Sequence, residues 1–411
     1  MDIKNHAKNL IKNFKRSKNY FFGNACISEI TKLVSGLGHN AAIVAGGTKG
    51  EWGKSIRNNI LSLLRNAGIN IKGEIIDGAK PNSPYEDVFR IAEEISARKP
   101  DFIISIGGGS VLDAVKASSA YSTFKDLYPD IKSYLGIGKV SEMISDSGRK
   151  LYPLLAVQTL SGSGSHLTKY ANITDLRNSQ KMLIIDDALV PSKAIFDYSM
   201  TTTCPVSLTV DGGMDGLSHC LEVYMGYSTG NSDSDILEDI CLTGIRIVVN
   251  YLKKACNFPS DLEAREMLGL ATDLGACAIM IGGTNGAHLN SFSLVDIATH
   301  GCACAIMNPF YLVFFSPVIE NKVRKIAEIY SNAGFVNCNT DSLKGKALGI
   351  SVANAMRKFS KEIGIPSSLS GLPGFSEKHI ARALNSAKNP TLESKLKNMP
   401  VPLCSNNVDK Y

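Results

Sequence analysis

The sequence predicts an α/β half built on a mostly parallel sheet, residues 1–203, followed by an all-helical half, residues 204–411. Three observations predict this. Short β-rich apolar runs alternate with helically spaced segments up to about residue 200. Beyond Pro205 the patterns are long and helical, with few strand-like runs. The glycine triplet Gly107-Gly108-Gly109 directly follows the strongest apolar run, DFIISI, and precedes a helical pattern.

Residues 40–45 (NAAIVA) read as a buried strand ending in Gly46-Gly47. Residues 54–67 then carry Ile56, Ile60, Leu63 and Leu64 at helical spacing. Residues 71–76 read as a second strand, and 84–99 as a helix with Val88, Ile91 and Ile95 on one face. Residues 101–106 are a third strand, and 151–157 and 181–185 are further candidates. In the second half, 207–224, 234–254, 261–282, 310–333 and 341–363 read as helices, and the chain beyond Met399 as an irregular tail.

Composition bounds the function classes. With 411 residues, 44% hydrophobic and 20% charged, the chain has ample apolar side chain for large cores and no disordered signature. The net charge of +6 is spread out, with no basic stripe, which argues against nucleic acid as partner. The basic N-terminus lacks the apolar run of a secretory signal, and no stretch of about 18 apolar residues suits a membrane span. Ten cysteines without a CxxC pair read as reduced, packed thiols of a cytoplasmic protein.

The segment Ser105-Ile106-Gly107-Gly108-Gly109-Ser110 joins a strand to a helix. Glycines let a ligand approach the backbone, and the helix N-terminus offers N–H groups and partial positive charge to a phosphate. The loop Gln158-Thr159-Leu160-Ser161-Gly162-Ser163-Gly164-Ser165 also follows a strand, and two such loops at strand ends suggest a Rossmann-like nucleotide crevice. In the helical half, Asp215 and His219 are four apart and share a helix face. His288 and His300 follow at plausible ligand positions, so two helices could supply one carboxylate and two imidazoles to Fe²⁺, Zn²⁺ or Mn²⁺.

With these motifs in place, the chain resembles the iron-containing alcohol dehydrogenases, on the fold shared with dehydroquinate synthase and glycerol dehydrogenase, from about residue 22 to 390. The resemblance rests on Pro81-Asn82-Ser83-Pro84, Gly107 to Ser110 with Asp113 and Lys116, and Thr159 to Thr168. It continues through Asp215 to Glu222, Asp261-Leu262-Glu263-Ala264-Arg265, and His300-Gly301 ahead of Asn308-Pro309. It implies a Rossmann-like NAD(P) domain and a helical metal domain. It also implies a divalent ion on Asp215, His219, His288 and His300, Fe²⁺ first and Zn²⁺ second. The implied cofactor contacts are Gly46, Gly47, Thr48, Lys49, Asn82, Gly107, Gly108, Gly109, Ser110, Asp113, Thr159, Leu160, Ser163 and Lys181. Lys181 is the catalytic-site candidate that the resemblance implies, and His166, where the family has another residue, is a second candidate as a proton relay. The activity implied is hydride transfer between the nicotinamide and a small alcohol or aldehyde, simple or polar, by a cytoplasmic homodimer. The alternatives are a metal-dependent cyclase of the dehydroquinate synthase type and a metal-less dinucleotide-binding protein.

Three departures from the family pattern stand out. His288 and His300 are two residues closer together than the family's ligand histidines, so register alone would put Gly286 at the ligand position. Phe292 stands where a second histidine usually follows, with Asn290 the nearest polar residue. Ser165-His166 replaces the usual Ser-Glu. The strand end Ala45-Gly46-Gly47-Thr48-Lys49 has no acid before Glu51, which favours NADP over NAD, because an acid there would bind a ribose hydroxyl and repel a phosphate. Asn290, Ser291 and Ser293 suggest a polar pocket wall.

Overall fold

A computed structural model of the protein describes residues 2–14, 18–46, 51–228, 234–336, 340, 342–401, 403, 404 and 406. The chain divides into two compact units, Lys15–Cys204 and Met1–Phe14 with Pro205–Tyr411. It opens on helix α1 (Ile3–Phe14). The α/β unit then runs β1 (Tyr20–Gly23), α2 (Ile30–Val34), β2 (Asn40–Ala45), α3 (Glu51–Asn66), β3 (Asn70–Ile71), β4 (Ile76–Asp77), α4 (Tyr85–Arg98), β5 (Phe102–Gly107) and α5 (Gly109–Phe124). It continues through β6 (Gly136–Ile137), α6 (Lys139–Ser147), β7 (Leu154–Gln158), β8 (Tyr170–Asp175), β9 (Gln180–Ile185) and β10 (Lys193–Asp197).

Seven strands form one parallel sheet in the order β1-β10-β7-β5-β2-β3, with β4 also on β2. Both faces are covered, as all-parallel sheets require. Ala42 and Val44 of β2 and Ile103 of β5 pack against Val88, Ile91 and Ile95 of α4 and Val111 and Val115 of α5. Their alternates Ala41, Ile43, Ile104 and Ile106 pack against Leu33 of α2 and Ile60 and Leu64 of α3. Residues 71–76 are not one strand. Gly73 turns the chain at φ +71°, leaving the short edge strands β3 and β4. Nor does 181–185 join the main sheet: β9 sits in a second sheet, β6-β9-β8, where it runs antiparallel to β8.

The helical unit contains α7 (Val206–Gly226), α8 (Ser234–Asn257), α9 (Leu262–Ile281), α10 (Gly286–Ser291), α11 (His300–Phe315), α12 (Glu320–Asn332), α13 (Gly345–Glu362), α14 (Glu377–Ala387) and α15 (Glu393–Lys397). The expected helix 310–333 is two helices, α11 and α12. Pro317 disfavours helix at the residue before it, so α11 ends at Phe315. Residues 1–14 belong to this unit and not to the α/β unit. Helix α1 buries Ala7, Leu10 and Ile11 and packs on α8 and α9, while Lys4 and Lys8 pair with Glu266 of α9 at 2.9 and 2.6 Å.

Helix α7 is the axis of the unit, packed by α8, α9 and α11. Its second half, from Gly213 to Met225, is buried all round. Asp261 caps α9 by accepting the Ala264 N–H at 2.9 Å. Arg265 donates to the Pro259 carbonyl and to Thr209 Oγ1 of α7, so Asp261 to Arg265 serves to dock α9 on α7. Among the described residues no helix is long and apolar enough to cross a membrane. The nine described cysteines are all free thiols, and Cys404 is the exposed one.

Candidate metal centre and cofactor turn

Asp215, His219 and Glu222 lie on α7 at spacings of four and three, so one face of a buried helix carries all three. Helices α10 and α11 add His288 and His300. The three imidazoles converge on one oxygen: Asp215 Oδ1 is 3.5 Å from His219 Nε2, 3.5 Å from His288 Nε2 and 3.6 Å from His300 Nε2. Bonds of about 2.1 Å at tetrahedral angles set two donor atoms about 3.4 Å apart, so the spacing fits one shared ion. Asp215 Oδ1 and His288 Nε2 are buried without a hydrogen-bond partner. Two such groups left bare would each cost about 1–3 kcal/mol, and an ion removes that cost. One carboxylate and three imidazoles suit a divalent ion such as Fe²⁺ or Zn²⁺.

Neighbouring groups aim these donors. Glu222 is wholly buried, and its Oε1 accepts from His288 Nδ1 at 2.6 Å. Its Oε2 accepts the backbone N–H groups of Asn285 and His288. The His288 Nδ1 proton is thereby fixed, and Nε2 is the nitrogen that faces Asp215. Asn285 reinforces the joint by donating its side-chain amide to the Glu222 carbonyl and capping α10 at Gly286. Ser291 does the same for His300. Its hydroxyl donates to the His288 carbonyl at 2.7 Å, so its oxygen accepts from His300 Nδ1 at 3.2 Å and leaves Nε2 to the centre. Asp211 Oδ1 accepts the Cys302 N–H and anchors the start of α11 on α7. His300 is the open side: its side chain is 20% exposed, against 8, 6 and 4% for Asp215, His219 and His288.

The electrostatics follow from burial and crowding. Burial pushes His219 down to about 4, which leaves a neutral imidazole at ordinary pH. Burial also opposes a charge on His288, but Cys304, Glu222 and Asp215 outweigh it, and its pKa lies well above the usual histidine value. Burial alone would raise Asp215, yet the surrounding histidines hold its carboxyl far below the usual carboxylate range.

The shortened spacing between His288 and His300 now has a physical reading. A side chain at Gly286 would place its Cβ 2.2 Å from the Tyr311 ring, so that position holds no ligand. Tyr311 in turn donates to Asn290 Oδ1. Asn290 Oδ1 and the Ser291 hydroxyl are thus engaged in internal bonds, and Ser293 is wholly buried with its carbonyl held by Arg382.

In the α/β unit, Gly108 is the N-cap of the 16-residue helix α5, and no side chain caps it. Its first turn is therefore open to an anion. The two glycine-containing loops pack on one another. A Cβ on Gly108 would lie 2.8 Å from Leu160, and one on Gly109 would lie 2.6 Å from Ser163. Thr159 N–H donates to the Gly107 carbonyl at 3.1 Å, and Ser110 Oγ accepts the Asn82 N–H at 3.0 Å. Gly46, at the end of β2, donates to the Ile106 carbonyl beside the turn. These residues therefore lie together at the carboxyl ends of the parallel strands β2, β5 and β7. Gly47, Thr48 and Lys49 lie outside the described residues.

Asp113 and Lys116 face inward. Asp113 accepts from Ser165 Oγ at 2.5 Å and from the Asn172 N–H at 3.0 Å, and Lys116 donates to the Thr168 and Tyr170 carbonyls. Both hold the second loop in place. Lys181 is buried on β9 opposite Thr174, whose hydroxyl donates to the Asn82 carbonyl. His166 is wholly buried between Tyr20 and Phe196, with Nε2 3.1 Å from the Tyr20 hydroxyl.

Glu222 and Ser291 are not among the residues that the sequence singles out for the centre. Glu222 was legible: it is three residues past His219 on the same helix face. Ser291 was not, because its role depends on the turn after α10.

Comparison with known proteins supplies the context. A family model described as iron-containing alcohol dehydrogenase matches residues 17–198, and one for the C-terminal part of the Fe-containing alcohol dehydrogenase family matches residues 209–400. An NADPH-dependent butanol dehydrogenase of Clostridium saccharobutylicum is 28% identical over 360 residues, covering 87% of this chain and 85% of the relative. An NAD-dependent methanol dehydrogenase of Bacillus methanolicus is 27% identical, covering 74% of each. The crystal structure of an NADH-dependent butanol dehydrogenase A from Thermotoga maritima superposes with a TM-score of 0.74 at 25% identity, covering 92% of this chain and 90% of that one.

Proposed function

Because this chain belongs to the iron-containing alcohol dehydrogenase family, we propose that it moves hydride between NADP(H) and a small alcohol or aldehyde at an ion held by Asp215, His219, His288 and His300. The chain is an NAD(P)-linked alcohol dehydrogenase, an oxidoreductase acting on CH–OH groups. The choice of ion, cofactor and substrate is the proposal. The carrying observation is the convergence of three imidazole Nε2 atoms within 3.5 to 3.6 Å of Asp215 Oδ1.

When bound, the ion supplies Lewis acidity to an alcohol or carbonyl oxygen, and the nicotinamide supplies or accepts the hydride. The chain's own residues prepare the place for them. Glu222 and Ser291 hold protons on the far nitrogens of His288 and His300, so both Nε2 atoms stay turned inward. Burial keeps His219 neutral and water scarce. The α5 N-terminus, with Gly107 to Ser110 and the Thr159 to Ser163 loop against it, favours a pyrophosphate.

NADP(H) is favoured over NAD(H) because Ala45 to Lys49 carries no acid and offers Thr48 and Lys49 to a 2′-phosphate. The butanol and methanol relatives support a small alkanol or its aldehyde as substrate. Iron is the first choice of ion and zinc the second. A cytoplasmic homodimer completes the reading, checked by light scattering and fractionation. A metal-less dinucleotide-binding role would leave Asp215 Oδ1 and His288 Nε2 buried and bare.

The test is protein purified without oxygen, assayed for bound metal and for aldehyde reduction with NADPH and with NADH. One ion per chain and faster NADPH turnover are expected. Full activity in metal-free protein would overturn the ion's role, and a strong NADH preference would overturn the cofactor assignment.

A further inference from the structure

We propose that Lys395 is a positioning residue for the metal centre: it grips both ends of helix α10 and so keeps His288 turned toward Asp215. The inference rests on the metal reading above and extends it to the C-terminal segment.

Helix α10 is six residues long. A helix this short does not hold itself in water, so what fixes His288 must come from outside it. Glu222 and Asn285 supply part of that hold from α7 and from the N-cap. Lys395 adds a hold from α15, although it is only 5% exposed. Its Nζ donates to Thr284 Oγ1, two residues before α10 begins. The same Nζ lies over the ring of Phe292, the residue directly after α10, at 5.2 Å from its centre. Phe292 in turn faces the His300 ring, with 6.2 Å between centroids. Thr284 is held twice, because Asn398 Nδ2 donates to its carbonyl at 2.9 Å. The Asn398 carbonyl itself abuts Gly226 of α7, where a Cβ would lie 2.2 Å from it. The α15 segment therefore ties the end of α7 to both ends of α10.

An apolar side chain at this position would pack on Phe292 but could not bond Thr284. Burying an ammonium is costly unless opposite charge lies near. Glu222 provides that charge. Burial opposes the Glu222 carboxylate, but His288, the Asn285 N–H and Lys395 outweigh it and hold its carboxyl below the usual range.

The test is zinc titration of the stripped full chain by calorimetry, with the melting temperature of each stripped protein and the visible spectrum of its cobalt-loaded form. The variants are Lys395→Met, Thr284→Val and Lys395→Arg. The first removes the charge and the donor but keeps a long stem. The second keeps the charge and removes the acceptor. Zinc affinity should fall about tenfold in both, the low end for outer partners of metal ligands, and the cobalt bands should shift. Lys395→Arg keeps a donor for Thr284 and a cation for Phe292, and should recover most of the affinity. Tighter zinc binding in Lys395→Met would mean that the ammonium acts by repelling the ion, and overturns the proposal. Unchanged affinity with a lower melting temperature would make Lys395 an anchor of α15 alone, and also overturns it while the metal reading stands. If Lys395→Met does not fold, Thr284→Val decides by the same readouts. No uptake of zinc or iron by the parent overturns both readings.

Discussion

The proposed metal centre and the proposed cofactor turn are built on opposite principles. The centre is made of side chains. Every donor is a titratable group, and each of His288 and His300 is aimed by a named hydrogen bond. The cofactor turn is made of backbone. Its glycines face Val111, Leu160 and Ser163, so they are required by packing as much as by any ligand. A side-chain site should fail by losing its ion, whereas a backbone site should fail by losing affinity for its cofactor.

The largest effects should break the side-chain site. Asp215→Ala or His219→Ala removes a donor that no neighbour replaces. Metal content should fall to background, and turnover should drop roughly 10³-fold or more, the scale of several kcal/mol of lost Lewis-acid assistance. Metal analysis and NADPH oxidation measured together check it; full turnover without metal would refute it. In the backbone site, Gly109→Ala would drive a methyl to 2.6 Å from Ser163 Cβ and push the second loop away. The KM for the cofactor should rise about tenfold or more, the equivalent of about 1.4 kcal/mol, while metal content stays unchanged. Loss of metal in that variant would contradict the separation.

Much of this was legible in the sequence. Period-two and period-3.6 patterns gave β2, α4, β5 and the long helices, because these elements bury one clear face or are buried whole. The scarce histidines pointed to three candidate ligands. What stayed hidden depends on tertiary packing. That His288 and not position 286 faces the centre is decided by the Tyr311 ring, 25 residues away in sequence. That Asp113 and Lys116 serve the second loop is decided by partners on β8 and the segment before it. The docking of α1 on α9 rests on Lys4 and Lys8 meeting Glu266, a pairing that no local pattern announces.

Two intermediate effects sharpen how the centre is tuned. Glu222→Gln should weaken metal affinity about 10- to 100-fold. Its amide would present N–H groups to a backbone N–H or to His288 Nδ1–H, where the carboxylate accepts from both. Metal titration of the stripped protein checks this; unchanged affinity would refute it. Metal affinity should also rise with pH. His288 carries a raised pKa, so its proton competes with the ion until pH passes that value. His219, held near 4, adds no such competition near neutrality. The thermal shift on adding metal should therefore grow from pH 6 toward pH 8, and a flat shift would refute the assignment.

The smallest effect should come from Ser291→Ala. The hydroxyl relays two constraints: it donates to the His288 carbonyl and accepts from His300 Nδ1. Removing it leaves both imidazoles in place, because Glu222 still holds His288 and α11 still carries His300. What is lost is the restraint on the His300 ring, the most exposed of the four donors. One neutral hydrogen bond is worth about 1 kcal/mol, so metal affinity should fall by roughly fivefold. Ser291→Thr keeps the hydroxyl and should recover part of the loss. A drop as large as that of Asp215→Ala would mean that Ser291 is itself a donor to the ion, and the division between donors and the groups that aim them would have to be redrawn.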